Sequence, residues 1–88
     1  MNPNGYEVIF PEWFEDYAWE FESKGWLDGI IIKYEEHEYR PVFYDSVRLA
    51  QTITDDLSSQ GCFLEKNLIV VERINRKNLL SAIEVFMT

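Results

Sequence analysis

The stretch PEWFEDYAWEFESKGW, residues 11–26, limits the possible folds more than any other part of the chain. Five apolar residues in it recur at spacings that line one face of an α-helix, at about 100° per residue. They are Trp13, Phe14, Tyr17, Ala18 and Phe21. Pro11 suits the first turn of a helix, and Gly25 supplies the left-handed backbone at which many helices end. The pattern therefore predicts one amphipathic helix that starts near Pro11 and stops at Gly25.

Trp19 is the aromatic residue that this pattern places away from the others. With Trp13 at 0° on a helical wheel, Trp19 falls at about 240°, almost opposite the centre of the apolar face. Four carboxylates surround it on the same wheel, and with Trp19 they form a candidate partner-binding site. Its members are Glu12, Glu15, Asp16, Trp19 and Glu22.

The sequence leaves two interpretations of Trp19 open. In the first, the indole packs under a loop, the N-terminal tail or a later helix, and the acids only solvate the helix. In the second, Trp19 is an exposed anchor, because tryptophan is over-represented at binding hot spots and a rim of acids speeds encounter with a basic partner. A wrong helical register is the remaining alternative.

Shorter patterns predict the other elements. Runs rich in β-formers predict four strands, at residues 6–10, 29–34, 39–44 and 68–71, with residues 35–38 as a hairpin connection. Pro41 suggests that the third of these strands is at an edge or ends early.

Two more helices follow from apolar stripes and caps. Asp45 or Ser46 can cap a second helix, and Asn75 can cap a third, with Ile74 and Leu79 placed to form a hydrophobic staple. The order β-α-β-β-α-β with a further C-terminal helix is that of the ferredoxin-like arrangement. It predicts an α+β domain with one four-stranded antiparallel sheet. We expect residues 6–88 to form this single domain and residues 1–5 to be a flexible tail.

A second candidate site lies at the start of the third helix, where Arg73, Asn75, Arg76 and Lys77 come close together in sequence. A helix N-terminus already attracts anions, so added bases would favour a phosphate or a carboxylate there. In the competing interpretation, these bases pair with the acidic first helix or the hairpin and serve folding. The anion-binding interpretation predicts a regulatory domain that works as a homodimer.

The charge is unevenly distributed along the chain. The net charge is -8, and residues 1–38 hold ten acids and two bases, whereas the acids and bases of residues 39–88 cancel. This distribution argues against general binding to nucleic acid, because affinity for phosphates needs a surplus of Lys and Arg. It favours a basic protein as the partner.

Catalytic and metal-binding patterns are weak. Cys62 and His37 are the only obvious thiol and base, and nothing in their spacing brings them together. Strand alternation places Glu36 and Glu38 on the face opposite to His37, so they do not converge on one metal. We expect no cofactor and no metal, and we expect Cys62 to be a small buried residue.

The sequence thus predicts a small non-enzymatic interaction domain of the inhibitor, immunity or adaptor type, which presents the face around Trp19 to a basic protein. The lone cysteine fits a reducing compartment, and no apolar run reaches the roughly 18 residues of a membrane span. We therefore expect no contact with a membrane and a cytoplasmic location. The pattern does not distinguish a monomer from a homodimer.

Overall fold

The computed structural model of this chain describes residues 5–88, so most of the predicted tail lies outside the described residues. This range contains three helices and six strands. In chain order they are β1 (Tyr6–Ile9), α1 (Ala18–Lys24), β2 (Trp26–Leu27), β3 (Ile31–Tyr34), β4 (His37–Tyr39), β5 (Val42–Asp45), α2 (Ser46–Gln60), β6 (Leu68–Val71) and α3 (Arg76–Phe86).

The strands form two three-stranded sheets. One has the order β1-β3-β4 and is antiparallel, and the other has the order β2-β5-β6, in which β5 runs antiparallel to β2 and parallel to β6. The α+β class stands, but the predicted single four-stranded sheet with ferredoxin-like order is wrong. The Asp45 amide N–H also bonds to the Gly25 carbonyl over 2.8 Å, beside the pairing of β2 with β5.

Pro41 is the physical reason for the division into two sheets. The predicted strand 39–44 breaks at this residue, since proline has no N–H to offer a sheet ladder and favours a strand boundary. β4 therefore stays with β3, and β5 joins β2 and β6 instead. β5 and β6 can pair in parallel because α2 provides the long crossover connection that parallel neighbours require.

The hydrophobic core combines both sheets with α3. Its buried members are Tyr6, Phe14, Leu27, Ile30, Ile32, Phe43, Val71, Ile74, Leu79 and Ile83. α2 contributes none of its 15 residues to this buried set. Because α2 contacts β5 and β6 from outside the core cluster, it covers the opposite face of the second sheet.

The predicted caps are confirmed. The Asp45 carboxylate accepts the Arg48 amide N–H over 2.8 Å at the start of α2, and the Asn75 side chain accepts the Asn78 amide N–H over 2.9 Å at the start of α3. Gly25 ends α1 with a φ of 73°, as the pattern indicated. These signals depend on a few adjacent residues, so the sequence is sufficient to predict them.

The first helix differs from the prediction. α1 begins at Ala18, and residues 12–17 form turns in which the Phe14 amide N–H bonds to the Pro11 carbonyl over 3.0 Å. Only Phe14 of the first predicted apolar turn is buried, at 1% exposure, while Trp13 and Tyr17 are 43% and 49% exposed. The wheel drawn from Trp13 therefore does not describe residues 12–17.

Tyr44 gives a pH-dependent prediction for the α2 side of the second sheet. Burial raises the pKa of the Tyr44 phenol above 10.0, and the nearby charges of Glu65 and Asp56 add to this, against the Trp26 hydrogen bond and the Arg48 charge. The folded chain then keeps this proton at a pH where the unfolded chain loses it, so the free energy of unfolding falls as the pH rises above 10.0.

Urea unfolding from about pH 9 to about pH 11 checks the role of Tyr44. We expect the Tyr44→Phe variant to lose stability less steeply than the wild type over this range. Its lower starting stability, after loss of the acceptor for the Trp26 indole N–H, does not affect the slope. Parallel curves for the two proteins would contradict the assignment.

Candidate functional site

Exposed aromatic and acidic side chains occur together in residues 12–22, which we call the acidic aromatic segment. Every charged residue in this segment is an acid. Its exposed side chains comprise three rings and four carboxylates. They are Glu12, Trp13, Glu15, Asp16, Tyr17, Trp19 and Glu22.

Trp19 points into solvent. Its side chain is 69% exposed, and α1, on which it lies, has no buried residue. Packing of the indole under a loop or another helix is therefore wrong, and the structure meets the condition of the exposed interpretation. Glu22 follows Trp19 by three residues within α1, a spacing that places two side chains on neighbouring parts of a helix surface.

The other three acids of the predicted site differ from the prediction in their backbone conformation. Glu12, Glu15 and Asp16 are all exposed, but they lie in the turns before α1 and not on a continuous helix with Trp19. The predicted exposure of these three residues is confirmed, whereas their predicted position on a helix is wrong. Tyr17 and Trp13, which sequence reasoning assigned to the core, are exposed as well.

Glu15 is the acid that ties this segment to the rest of the chain. Its carboxylate forms an ion pair with Arg76, at the first position of α3. The Arg76 guanidinium also lies 4.3 Å from the centroid of the Phe10 ring. Because the Arg76 side chain is 53% exposed and the Glu15 side chain is 69% exposed, this pair adds little stability.

The structure uses much of the second candidate site internally. Arg76 is paired with Glu15, and the Asn75 side-chain oxygen serves as the α3 cap. Arg73 and Lys77 are exposed, and within residues 5–88 neither forms an ion pair. The ion pair of Arg76 thus agrees with the competing interpretation, in which a base of this cluster pairs with the acidic first segment. Anion binding at the remaining residues stays a prediction.

A groove that the sequence did not reveal lies between the first sheet and the end of α3. We call it the tyrosine groove, and its volume is about 320 Å³. Tyr6, Tyr34, Tyr39, Phe86 and Met87 line it.

The strand register explains how three tyrosines meet in this groove. Tyr6 lies opposite Tyr34, and Tyr34 lies opposite His37, so alternation puts Tyr39 on the same face of the sheet. The hairpin turn between β3 and β4 contains only Glu35 and Glu36, not the predicted four residues. Tyr34 before the two-residue turn and Tyr39 after it would have been the sequence signal for this groove.

The remaining candidate features of the described residues concern metal binding, Cys62 and a membrane span. Within residues 5–88, no group of three or more His, Cys, Asp or Glu side chains is arranged to hold a metal ion. Cys62 is exposed, so its predicted burial is wrong. In the same range, no helix combines the length and the apolar character needed to cross a membrane.

The chain was compared with protein-family models, with curated proteins and with solved structures. None of the three comparisons found a match.

Proposed function

We propose that this chain is a non-enzymatic protein–protein interaction domain that binds a basic protein through its acidic aromatic segment. The single observation that carries the proposal is the exposure of Trp19, at 69%, in a segment whose charged residues are all acids. Burial of such an indole in a partner would stabilise a complex, since tryptophan is among the residues most enriched at binding hot spots.

The surrounding rings enlarge the surface that a partner would cover. Trp13 and Tyr17 are each almost half exposed and lie within six residues of Trp19. Tyrosine and tryptophan both offer a large apolar body with a polar tip, which suits a contact that is wet in the free protein. Tyr17 and Trp13 thus offer further exposed apolar area close to Trp19 in sequence, and the Trp13 ring also contacts Phe21.

The acids define the partner's charge. Glu12, Asp16 and Glu22 have no ion-pair partner within the described range, whereas Glu15 is engaged by Arg76. Negative charges at the edge of an interface attract a basic partner and repel an acidic one. The partner is therefore a Lys- or Arg-rich protein surface, and a cytoplasmic inhibitor, immunity protein or adaptor would fit this description.

The alternative function, a homodimeric domain that binds a small anion at the start of α3, has less support. It relied on a group of bases that includes Arg76, and this base is already paired with Glu15. The Asn75 side-chain oxygen is also engaged, since it caps α3. In the acidic aromatic segment, by contrast, the Trp19 side chain is 69% exposed.

Peptide selection tests the proposed function directly. A random peptide library displayed on phage, sorted on the immobilised wild-type protein, should enrich peptides rich in Lys and Arg. For a selected peptide, Trp19→Ala should weaken affinity by about 30-fold, the effect of a hot-spot residue worth about 2 kcal/mol. Its free energy of unfolding should change by no more than about 0.5 kcal/mol, because the indole is exposed.

Leu64→Ala is the matched control for this experiment. Leu64 is 82% exposed and lies far outside the segment in sequence, so its loss should leave peptide affinity unchanged. Equal effects of Trp19→Ala and Leu64→Ala would contradict the proposal, as would enrichment of peptides without a basic bias. A large loss of stability in Trp19→Ala without any peptide would instead indicate a structural role.

The charge part of the proposal has its own test. The combined change Glu12→Gln, Asp16→Asn and Glu22→Gln should lower the association rate of the selected peptide by about tenfold at low salt. The difference should shrink at high salt, where exposed charges are screened.

The control for this test removes the same charge elsewhere, through Asp55→Asn, Glu72→Gln and Glu84→Gln. These three acids are also exposed. If both triple variants slow association equally, only the net charge matters and the segment is not the binding surface.

A further inference from the structure

We infer that the tyrosine groove binds a methylated ammonium group by cation–π interaction. Four of its five lining residues are aromatic, and the fifth is a methionine. Aromatic rings carry negative charge on their faces, and cages of such rings are the usual protein sites for quaternary ammonium groups. Methionine adds a flexible, polarisable wall that adapts to methyl groups.

The rings are arranged as walls and not as one flat surface. Tyr39 and Phe86 meet at 82° with their centroids 5.8 Å apart, so they form a corner. Tyr6 and Tyr34 are direct cross-strand neighbours of β1 and β3, so their side chains lie side by side on the same face of the sheet. A cation in the groove is therefore bounded by rings in more than one direction, as a cage requires.

The nearby bases are held away from the groove. Lys33 and Arg40 both pair with Glu38, at 3.9 Å and 3.1 Å. Because side chains alternate along a strand, Lys33 and Glu38 lie on the face opposite to Tyr34 and Tyr39. The groove lining itself contains no Lys or Arg. A bound cation thus has no lysine or arginine in the groove lining, and the titratable side chain on the same face of the sheet is His37, whose ring centroid lies 6.5 Å from that of Tyr39.

Two further electrostatic effects, the dipole of α3 and the net charge of the chain, favour a cation in the tyrosine groove. Phe86 is the last residue of α3 and Met87 is its C-cap, so the groove lies at the negative end of the helix dipole. The last turn of α3 has no base to offset that end. The chain as a whole carries a net charge of -8, which raises the local concentration of cations.

The size of the groove limits the ligand to a small head group. Its volume of about 320 Å³ is at the lower end of the range for small-molecule sites, roughly 300–1,000 Å³. A trimethylammonium group fits this description, either free, as in choline, or on a trimethylated lysine of a peptide. The groove shares no residue with the acidic aromatic segment, so the two proposals can fail separately.

Titration with choline and with its neutral isostere tests the charge requirement. In the isostere, a carbon atom replaces the choline nitrogen, so shape is kept and charge is lost. We expect choline to shift the amide NMR signals of Tyr34, Tyr39, Phe86 and Met87 at millimolar concentration, and the isostere to bind at least about fivefold more weakly. Sodium chloride at equal ionic strength should not produce these shifts.

Variants of Tyr34 separate the ring from its hydroxyl. Tyr34 is partly exposed at the groove, so both variants should fold. Tyr34→Phe keeps the aromatic face and should retain choline affinity within about twofold, whereas Tyr34→Leu should reduce it about tenfold.

The outcome of these titrations decides the proposal and the source of the ligand. Equal binding of choline and its isostere would overturn it in favour of a merely apolar groove, and so would the absence of shifts for every ammonium ligand. A peptide with trimethyllysine that binds more tightly than choline would assign the groove to a modified protein. Tighter binding of choline would assign it to a free small molecule.

Discussion

Replacement of Gly25 by alanine should lower the free energy of unfolding by about 2–4 kcal/mol. Two effects combine at this residue. Its φ of 73° is in the left-handed region, which is unfavourable for alanine by roughly 1–2 kcal/mol. In addition, a β-carbon at residue 25 would lie 2.7 Å from the Asp45 side-chain Cγ, so the carboxylate would have to move.

Displacement of Asp45 adds the second part of this loss. The Asp45 carboxylate caps α2 through the Arg48 amide N–H, and loss of such a cap typically removes about 1 kcal/mol. The backbone of Asp45 also bonds to the Gly25 carbonyl over 2.8 Å. A single methyl group at Gly25 therefore disturbs the end of α1, the pairing of β2 with β5 and the start of α2.

Gly61→Ala is the matched control for this prediction. Gly61 ends α2 with a φ of 79°, but a β-carbon there would meet nothing within 4 Å. Only the backbone strain, roughly 1–2 kcal/mol, should appear in urea unfolding of this variant. Equal losses at Gly25 and Gly61 would contradict the role assigned to Asp45. In an Asp45→Ala background, the loss at Gly25 should shrink toward that of Gly61.

Replacement of Phe14 by alanine should lower the free energy of unfolding by about 3–5 kcal/mol, the usual effect of removing a buried phenylalanine. Phe14 is 1% exposed. Its ring centroid lies 4.9 Å from that of Phe10 and 6.0 Å from that of Phe21, and the Phe21 ring is nearly parallel to it. Removal of this ring leaves a cavity where the turns before α1 meet the core.

Trp13→Ala provides the comparison within the same segment. Trp13 is larger than Phe14, but 43% of it is exposed, and its ring contact is with Phe21 at 5.2 Å. We expect its loss to lower stability by about 1 kcal/mol, well below the effect of Phe14→Ala. A continuous helix with both residues on the core face predicts similar losses for the two. Similar losses in urea unfolding would therefore contradict the turns at residues 12–17.

Local signals were readable from the sequence. The caps at Asp45 and Asn75 and the helix stop at Gly25 were inferred from residue type and spacing, and the structure agrees, whereas the sequence left open whether Trp19 is exposed or packed. Each depends on hydrogen bonds, backbone conformation or solvation within a few residues. Such interactions are formed by neighbours along the chain, so a short stretch contains the necessary information.

Tertiary packing decided which rings are buried, which strands pair and where the tyrosine groove forms. The aromatic spacing of residues 13–21 indicated one helix, but the core accepts Phe14 and leaves Trp13 and Tyr17 outside, which local periodicity does not reveal. The strand partners of β5 depend on Leu27 and Ile69, which are distant in sequence. The tyrosine groove depends on a register that is fixed by a two-residue turn and by where α3 ends.

The amino-acid sequence by itself thus determined the residue types of the acidic aromatic segment, the end of α1 at Gly25, and the caps that start α2 and α3. Only the tertiary structure decided which strands pair and which rings are buried. The physical reason is that β pairing and core packing join residues far apart in the chain, and many pairings satisfy the same local propensities. Competition among them is resolved by the fit of the whole core.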